Sequence, residues 1–322
     1  QLTTFQNFDT YQKRLQLDYF HQFTSNMLQL HNGFSAAGAL LPFSEVGEMA
    51  GVEATDWSWG ALMADFDNDS RRDLLVCNGI YKDVTDQDFL NFLSNDANME
   101  AAMRGEKVNF QQWISKIPSE KIPNCLFTRT GEELTFKNAA AAWGLGEPSF
   151  SNGAAYGDLD NDGDLDLVIN NVNQELFFYK NNSRETGKNH SLRVRFKGGG
   201  KNTAGVGALL YVFRKGEILS YEHIPMRGFQ SSMDYTAVVG LGEDPRIDSL
   251  IVWWPGGPRQ QLTGVQADTL LSLRMEDGVR GPGPLSYHLM QKKPVFEDQT
   301  ARTGIEFVHR ESAWSDFDQE QL

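Results

Sequence analysis

Short apolar runs separated by polar turn residues make up most of the central part of the chain. The segments 126–127, 134–136, 153–156 and 165–169 are β-branched or aromatic runs bounded by Gly, Asn and Asp. Short strands with this even punctuation are typical of propeller blades and β-sandwiches. The pattern therefore predicts a mainly β fold.

The apolar pattern changes after Asn182. Residues 191–196 alternate between apolar and polar, as expected for a strand with one exposed face. Further strands are predicted at 208–213, 235–239, 249–253 and 269–273. These strands predict a compact second β domain over residues 188–276. Within it, the neighbouring rings of Trp253 and Trp254 should point to opposite faces of a strand, one inward and one outward.

Two other segments have apolar residues at the spacing of an α-helix. Residues 1–25 are predicted to be a helical segment, with a packed amphipathic helix over 8–23 whose apolar residues recur at i, i+4 and i+8: Leu15, Tyr19 and Phe23. Residues 83–119 are predicted to form a helical insertion, which Thr85 and Asp86 can cap at its N-terminus.

The chain repeats itself at an offset of 93 residues. The segment 59–69 (WGALMADFDND) matches 152–162 (NGAAYGDLDND). An upstream pair of Phe and Gly, eight residues apart, recurs three times: Phe43 and Gly51, Phe136 and Gly144, and Phe296 and Gly304. Such repetition is typical of stacked structural units. The predicted division is a helical segment (1–25), blades with their insertion (26–187), the second β domain (188–276), and a linker with the start of a further blade (277–322).

Two aspartate-rich loops lie at the same point of each repeat. Each has acidic side chains at positions 1, 3, 5 and 9: Asp65, Asp67, Asp69 and Asp73 in the first loop, and Asp158, Asp160, Asp162 and Asp166 in the second. Side chains at these odd-numbered positions of a tight loop converge on one point, and the carbonyl at position 7, of Arg71 or Asp164, can add an oxygen. Five or more hard oxygen ligands suit Ca²⁺. We therefore predict two structural calcium sites.

Three alternative roles fit the aspartate loops less well. A solvated Asp-rich turn accounts for one loop but not for two at matching points of a repeat. An EF-hand requires Glu at position 12, where this chain has Val76 and Ile169. A carboxylate pair of a glycosidase should come from separate elements that face a cleft, and not from one turn.

The two loops differ in sequence. Position 6, which usually requires a positive φ, is Ser70 in the first loop and Gly163 in the second. Arg71 and Arg72 also add positive charge close to the first loop. We therefore expect the first loop to bind calcium more weakly than the second.

Composition narrows the function classes. The net charge of −14 disfavours nucleic acid as a partner, because it repels phosphate. No apolar run approaches the ~18 residues of a membrane span. The chain opens on Gln1, so we expect a processed or excerpted piece, which leaves a lipid anchor or export signal ahead of Gln1 as an open alternative. Cys77 and Cys125 are either two free thiols or one disulfide.

Motifs of catalysis are missing from the sequence. It contains no HExxH, GxSxG, Ser/His/Asp order or phosphate loop, and its histidines are scattered singly. We therefore predict a module without enzymatic activity. Three tryptophans lie near the loops: Trp57, Trp59 and Trp143. They either stack on sugars or partners or form the core of the blades, and we favour the core.

Both halves of the chain resemble known families. The loops resemble the calcium loops of FG-GAP/VCBS repeats in integrin-type β-propellers and secreted bacterial proteins. The second domain resembles the ASPIC/UnbV domain of cartilage acidic protein-like sequences, through the segments 189–190 (NH), 205–208 (GVGA), 227–232 (RGFQSS), 241–242 (LG) and 252–257 (VWWPGG). The resemblance implies propeller blades with a compact ASPIC/UnbV β domain. It also implies two Ca²⁺ held by the eight aspartates and by the carbonyls of Arg71 and Asp164.

The same resemblance implies a function at the cell exterior. We expect a calcium-stabilised binding or scaffolding module, secreted or facing outward on the outer membrane, with the periplasm as an alternative. Similar architectures sometimes occur near nutrient-uptake systems of the SusC/SusD kind, so the expected partner is a protein or a glycan. The alternatives are a polysaccharide-processing accessory, such as a glycan hydrolase, and RNA binding through the basic strand of Arg193, Arg195 and Lys197.

Overall fold

The computed structural model of the chain describes residues 8–19, 25–33, 41–94, 110–129, 131, 134–281 and 302. The helices are α1 (Phe8–Gln16), α2 (Gly47–Ala50), α3 (Gln87–Leu93), α4 (Phe110–Lys116) and α5 (Ser183–Thr186), with a 3₁₀ turn at Met275–Asp277. None of the described helices is long and apolar enough to span a bilayer. The chain divides into two compact units, residues 1–283 and 284–322, and all of these elements lie in the first unit.

Most of the regular secondary structure in the described residues is β, which confirms the predicted mainly β fold. The strands are β1 (Gln29–Leu30), β2 (Ser44–Glu45), β3 (Ser58–Ala64), β4 (Asp73–Asn78), β5 (Ile122–Pro123), β6 (Cys125–Arg129), β7 (Phe136–Asn138), β8 (Pro148–Ser149), β9 (Ser151–Gly157), β10 (Asp166–Asn171), β11 (Phe177–Tyr179), β12 (His190–Lys197), β13 (Leu209–Arg214), β14 (Glu217–Glu222), β15 (Thr236–Gly242), β16 (Ser249–Trp253), β17 (Pro258–Leu262), β18 (Leu270–Arg274) and β19 (Val279–Arg280).

Two antiparallel sheets carry the repeated sequence. Sheet 1 has the order β3-β4-β6-β7, and sheet 2 has the order β9-β10-β11. In each sheet an aspartate loop joins the first strand to the second, β3 to β4 and β9 to β10. Sheet 1 also contains the insertion between its second and third strands, where α3 and α4 lie. Asp86 caps α3, since its Oδ1 accepts a hydrogen bond from Phe89 N at 2.8 Å.

The two repeated sheets share one hydrophobic core. Leu62, Leu75 and Leu126 of sheet 1 pack in the same buried cluster as Leu167 and Ile169 of sheet 2. The alternation along β3 explains this packing, because every second side chain points inward. The first strands of the sheets come close, and a Cβ on Gly60 would lie only 2.9 Å from the carbonyl oxygen of Asn152.

The second domain is a sandwich of two sheets, with the orders β15-β12-β18 and β14-β13-β16-β17-β19. Strand β12 pairs antiparallel with β15 and parallel with β18. Side chains from both sheets fill one core, among them Val194 and Leu241 from the first and Leu210 and Val252 from the second.

The second domain packs against sheets 1 and 2 through residues 227–232, the RGFQSS segment. The rings of Phe229 and Trp59 are 5.0 Å apart. A Cβ on Gly153 would lie 2.9 Å from the carbonyl oxygen of Phe229. This segment therefore lies against the first strand of each repeat, and a glycine in β9 makes room for it.

Several details differ from the sequence expectations. The N-terminal helix ends at Gln16, and not near residue 23, because Leu17 and Asp18 form a turn in which Asp18 has a φ of 54°. Tyr19 is consequently 59% exposed and not packed as predicted. Phe23, the third Phe–Gly pair (Phe296 and Gly304) and most of residues 277–322 lie outside the described residues.

The two tryptophan rings of the second domain point to opposite faces, as expected, but both are buried. Trp254 packs in the core of the sandwich. Trp253 lies on the opposite face, where Tyr211 and Arg259 cover its ring. Cys77 and Cys125 are free thiols, and burial raises the pKa of Cys77 to about 12.

The shared core yields a first prediction. Leu62→Ala should lower the free energy of unfolding by about 2–5 kcal/mol, because it leaves a cavity beneath both repeated sheets. Met63→Ala is the matched control, since Met63 is the next residue of β3 and points to the exposed face. Urea denaturation of both variants measures the difference. Equal losses would contradict the assignment of faces along β3.

Candidate metal centres

The two aspartate loops have residues in the left-handed conformation at the same two positions, 4 and 6. In the first loop Asn68 and Ser70 have φ values of 58° and 74°, and in the second Asn161 and Gly163 have 67° and 99°. Ser70 therefore adopts the left-handed conformation that was expected to need glycine. The sequence difference at position 6 does not change the course of the loop.

Backbone N–H groups hold the carboxylates of the first loop. Asp65 Oδ1 accepts from Asp69 N at 3.0 Å, and its Oδ2 accepts from Ser70 N at 2.9 Å. Asp73 Oδ2 accepts from Phe66 N at 3.0 Å. Oxygens of Asp65, Asp67 and Asp73 all lie within 4.8 Å of one another. Asp69, predicted as the fourth ligand, is not in this group, and its Oδ1 accepts from Arg71 N at 2.7 Å.

The carboxylates of the first loop have no lysine or arginine partner among the residues that the structure describes. Burial and the neighbouring aspartates raise the pKa of Asp65 well above its ordinary value, and burial raises that of Asp73 to about 8. Within the described residues, no ion pair joins this loop to a lysine or arginine. Arg71 and Arg72 point away, and they donate to the carbonyl oxygens of Gly131 and Ser220.

The second loop brings together a different set of its aspartates. Oxygens of Asp158, Asp160 and Asp162 lie within 4.8 Å of one another. Asp166 is not in this group, since its two oxygens accept from Leu159 N at 3.0 Å and Asn181 N at 2.9 Å. The loop aspartate at position 9 therefore closes the turn in both repeats, but it adds to the cluster only in the first.

Asp164, whose carbonyl the resemblance implies as a ligand, also has a side chain with contacts of its own. Its side chain is fully buried, and Oδ2 accepts from Ser183 Oγ and Arg184 N, both at 3.1 Å. It forms a second acidic group with Asp162 and Glu185. Burial raises the pKa of Asp164 to about 7.

Two cationic side chains reach the second loop from elsewhere in the chain. Lys180 Nζ lies 2.6 Å from Asp160 Oδ2 and 3.6 Å from Asp162 Oδ2. Arg193 of β12 donates to Asp158 Oδ2 at 3.2 Å and to the carbonyl oxygen of Asn161 at 2.7 Å. The hydrogen bond from Lys180 lowers the pKa of Asp160. Sequence analysis did not place Lys180, Arg193 or Glu185 at the loop, because none of them lies inside the motif.

The donor atoms of both loops fit a hard divalent cation. All of them are oxygens, which favour Ca²⁺ or Mg²⁺ over metals that prefer nitrogen or sulfur. In the second loop, Asp158 Oδ1, Asp162 Oδ2 and Asp164 Oδ1 are buried without a hydrogen-bond partner in the structure. Buried carboxylate oxygens normally have a hydrogen-bond partner, so these atoms are candidate ligands for a cation.

The loops also join three parts of the fold. Asn68 Nδ2 of the first loop donates to the carbonyl oxygen of Gly163 in the second at 3.1 Å. From the second domain, Gly242 N donates to the carbonyl oxygen of Asn68 at 2.8 Å, and Ser191 Oγ donates to that of Gly163 at 2.7 Å. Just before this domain, Asn189 Nδ2 donates to the carbonyl oxygen of Asp67 at 2.9 Å.

A cavity of about 450 Å³ lies beside the loops, between sheets 1 and 2. Its apolar wall includes Leu126 and Leu145, and Tyr179 and Trp143 add aromatic surface. Trp143 is 40% exposed, so it is not part of the core. Trp59 packs against the core of the repeated sheets and donates from Nε1 to the carbonyl oxygen of Gly79 at 2.7 Å.

The contact between Asp65 and the second domain gives a second prediction. A Cβ on Gly240 of β15 would collide with Asp65 Oδ2 and lie 2.7 Å from Cα of Asn68. Gly240→Ala should therefore lower the free energy of unfolding by about 1–3 kcal/mol, as overpacking does. Gly199→Ala is the control, because its nearest neighbour is the flexible Met275 side chain at 3.4 Å. Urea denaturation in EDTA measures both. Equal stability of the two variants would show that Gly240 of β15 is not in close contact with the first loop.

Comparison with known proteins covers the second domain. Residues 198–280 match the family model described as ASPIC and UnbV. No curated protein matches the chain. The matched region contains four of the five segments on which the resemblance was based, and residues 189–190 precede it. The chain therefore contains an ASPIC/UnbV domain, whose β-sandwich lies against the two aspartate loops.

Proposed function

We propose that this chain is a calcium-stabilised binding or scaffolding module of the cell exterior, built from FG-GAP/VCBS-type propeller blades and an ASPIC/UnbV domain. It displays a surface to a protein or glycan partner and has no catalytic role. The observation that carries the proposal is the pair of aspartate loops with matching backbones, where the repeated sheets and the ASPIC/UnbV domain meet.

The position of the loops supports propeller blades. Each loop joins the first and second strands of a meandering antiparallel sheet, and the two sheets pack face to face in one core. The first strands approach each other at Gly60 and Asn152, as the inner strands of adjacent blades do. Radial repetition of such sheets is the propeller architecture.

Charge supports a cation as the missing component. The carboxylates of the first loop are crowded and partly buried with no compensating cation in the described residues. Unpaired buried carboxylates are costly, because they have lost water and repel each other. A divalent ion would turn that repulsion into attraction. Calcium suits these flexible all-oxygen sets, and it is available at millimolar concentration outside cells.

The geometry of the acids supports a structural role. Each cluster belongs to one tight turn and is held by backbone N–H groups of that turn. Hydrolytic carboxylate pairs instead face each other across a cleft that admits substrate. We therefore propose that the cations fix the turns and so rigidify the display surface.

The cavity beside the loops is the proposed binding surface. Trp143 and Tyr179 offer ring faces, and the polar side chains of Asn182 and Asn189 lie at the same cavity. An aromatic face with nearby amide groups suits a sugar ring, which has apolar C–H surfaces and hydroxyl groups. An outward-facing place near an outer-membrane uptake system of the SusC/SusD kind fits such a ligand and stays part of the proposal.

The calcium role is tested by chelation. EDTA should lower the melting temperature of the chain, because a site with a dissociation constant of about 10⁻⁴–10⁻³ M adds on the order of 1 kcal/mol at millimolar calcium. For a domain of this size, 1 kcal/mol corresponds to about 2–4 °C. The double variant Asp67→Ala/Asp160→Ala should no longer respond to EDTA. Differential scanning calorimetry with and without calcium makes the measurement.

The control for this experiment is Asp56→Ala, which removes an exposed aspartate outside both loops. It should keep the full response to EDTA. A parent chain whose melting temperature is the same in calcium and in EDTA would reject the calcium role.

The binding surface is tested on a panel of oligosaccharides by calorimetry. Tyr179→Ala and Trp143→Ala should weaken binding by about tenfold or more, as expected when an aromatic anchor is removed. Phe178→Ala is the matched control, since Phe178 neighbours Tyr179 on β11, is 57% exposed and does not line the cavity.

The same panel separates the alternatives. Release of shorter saccharides would favour a glycan hydrolase, and salt-dependent binding of RNA would favour the third candidate. No binding of any saccharide, or equal loss in Phe178→Ala and Tyr179→Ala, would reject this cavity as a glycan site and leave a protein partner.

A further inference from the structure

Lys180 directly follows β11 and extends its ammonium group to the second loop. Its Nζ lies 2.6 Å from Asp160 Oδ2, 3.6 Å from Asp162 Oδ2 and 3.1 Å from Glu185 Oε1. One positive charge is therefore already within ion-pair distance of two of the three carboxylates that the second loop brings together. The first loop has no such group among the described residues.

The third partner of Lys180 lies outside the loop. Glu185 belongs to α5, and the start of α5 is tied to the loop because Ser183 Oγ and Arg184 N both donate to Asp164 Oδ2. Glu185 is therefore held at a defined place beside Asp162, with which it forms an acidic group. It gives the ammonium group of Lys180 a partner that is not one of the loop aspartates.

We propose that Lys180 is an internal competitor of the divalent cation at the second loop, and that Glu185 holds its ammonium group when the cation binds. The inference rests on the proposed function, because without a cation there is nothing to compete with. In this proposal, Lys180 and Glu185 set the calcium affinity of the second loop, although neither residue belongs to the aspartate motif.

Simple electrostatics gives the direction of the effect. A divalent ion held by Asp160 and Asp162 would lie within a few ångströms of the ammonium group and repel it. Lys180 must then leave Asp160, so part of the binding free energy of the ion is lost. Its side chain is 45% exposed, and exposed pairs are weak and screened by salt. The expected effect on affinity is therefore modest and salt-dependent.

A competitor and a structural lysine predict opposite results. Removing a competitor tightens calcium binding, but it lowers stability in EDTA because Asp160 and Asp162 lose the ammonium group that pairs with them. Removing a lysine that merely shapes the loop weakens calcium binding and stability together. The sign of the change in affinity therefore decides between the two roles.

The test is a calcium titration by isothermal calorimetry on chains that carry Asp67→Asn, which weakens the first loop. Lys180→Gln should bind calcium about threefold more tightly than its parent. Lys180→Arg keeps the charge and should bind like the parent. Lys201→Gln, an exposed lysine in the turn before β13, removes the same charge elsewhere and should leave the affinity unchanged. In about 1 M salt the gain of Lys180→Gln should disappear.

Glu185 is tested through its dependence on Lys180. Glu185→Gln should weaken calcium binding where Lys180 is present, because the ammonium group then has only the loop aspartates as partners. In the Lys180→Gln background the same substitution should have no effect. Equal weakening in both backgrounds would make Glu185 a direct ligand of the cation and overturn the inference.

The outcomes separate this inference from the proposed function. A parent chain that binds no calcium rejects both. A parent that binds calcium, with a Lys180→Gln variant that binds equally or more weakly, rejects only the competitor. Should Asp67→Asn prevent folding, the titration is run with the first loop intact, where Lys180→Gln must tighten one of two binding steps and leave the other unchanged.

Discussion

The structure depends on one electrostatic constraint, the crowding of carboxylates in two tight turns at the centre of the fold. Like charges this close destabilise a protein unless something positive compensates them. Within the described part of the chain, backbone N–H groups are the hydrogen-bond donors to Asp65 and Asp73, and the pKa of both carboxyl groups is raised. Folding therefore places crowded carboxylates where two sheets and a sandwich meet, and a cation bound there would stabilise all three together.

The same loops also connect the repeated sheets and the ASPIC/UnbV domain through hydrogen bonds. Their carbonyl oxygens accept hydrogen bonds from partners outside their own loop: Gly163 from Asn68 and Ser191, and Asn68 from Gly242. A loop that lost its shape would lose these bonds, so the register between the repeated sheets and the ASPIC/UnbV domain depends on loop geometry. Gly240 shows how little space remains, since any side chain there would meet Asp65.

The sequence predicted the parts of the fold that depend on local pattern. The strand at 249–253 was predicted to the residue because an apolar run lies between turn signals, and the repeat placed both aspartate loops between strands. The helix over 8–23 failed after Gln16, because periodicity alone did not reveal the left-handed turn at Asp18. Burial of both Trp253 and Trp254 also escaped prediction, because Tyr211 and Arg259 come from other strands to cover the outer ring.

At the candidate sites too, contacts between residues that are distant in sequence escaped prediction. Arg71 and Arg72 are adjacent to the first loop in sequence, yet they donate to distant carbonyl oxygens and leave its carboxylates uncompensated. Lys180 and Arg193 are remote in sequence from Asp158 and Asp160, yet they pair with them. The expectation that the first loop binds calcium more weakly stays a prediction. Position 6 does require a positive φ, which Ser70 adopts at a strain that Gly163 avoids, whereas Arg71 and Arg72 donate away from the first loop and the cationic side chains Lys180 and Arg193 contact the second. In the sequence, positive charge is adjacent to the first loop, but in the structure the cationic side chains contact the second loop.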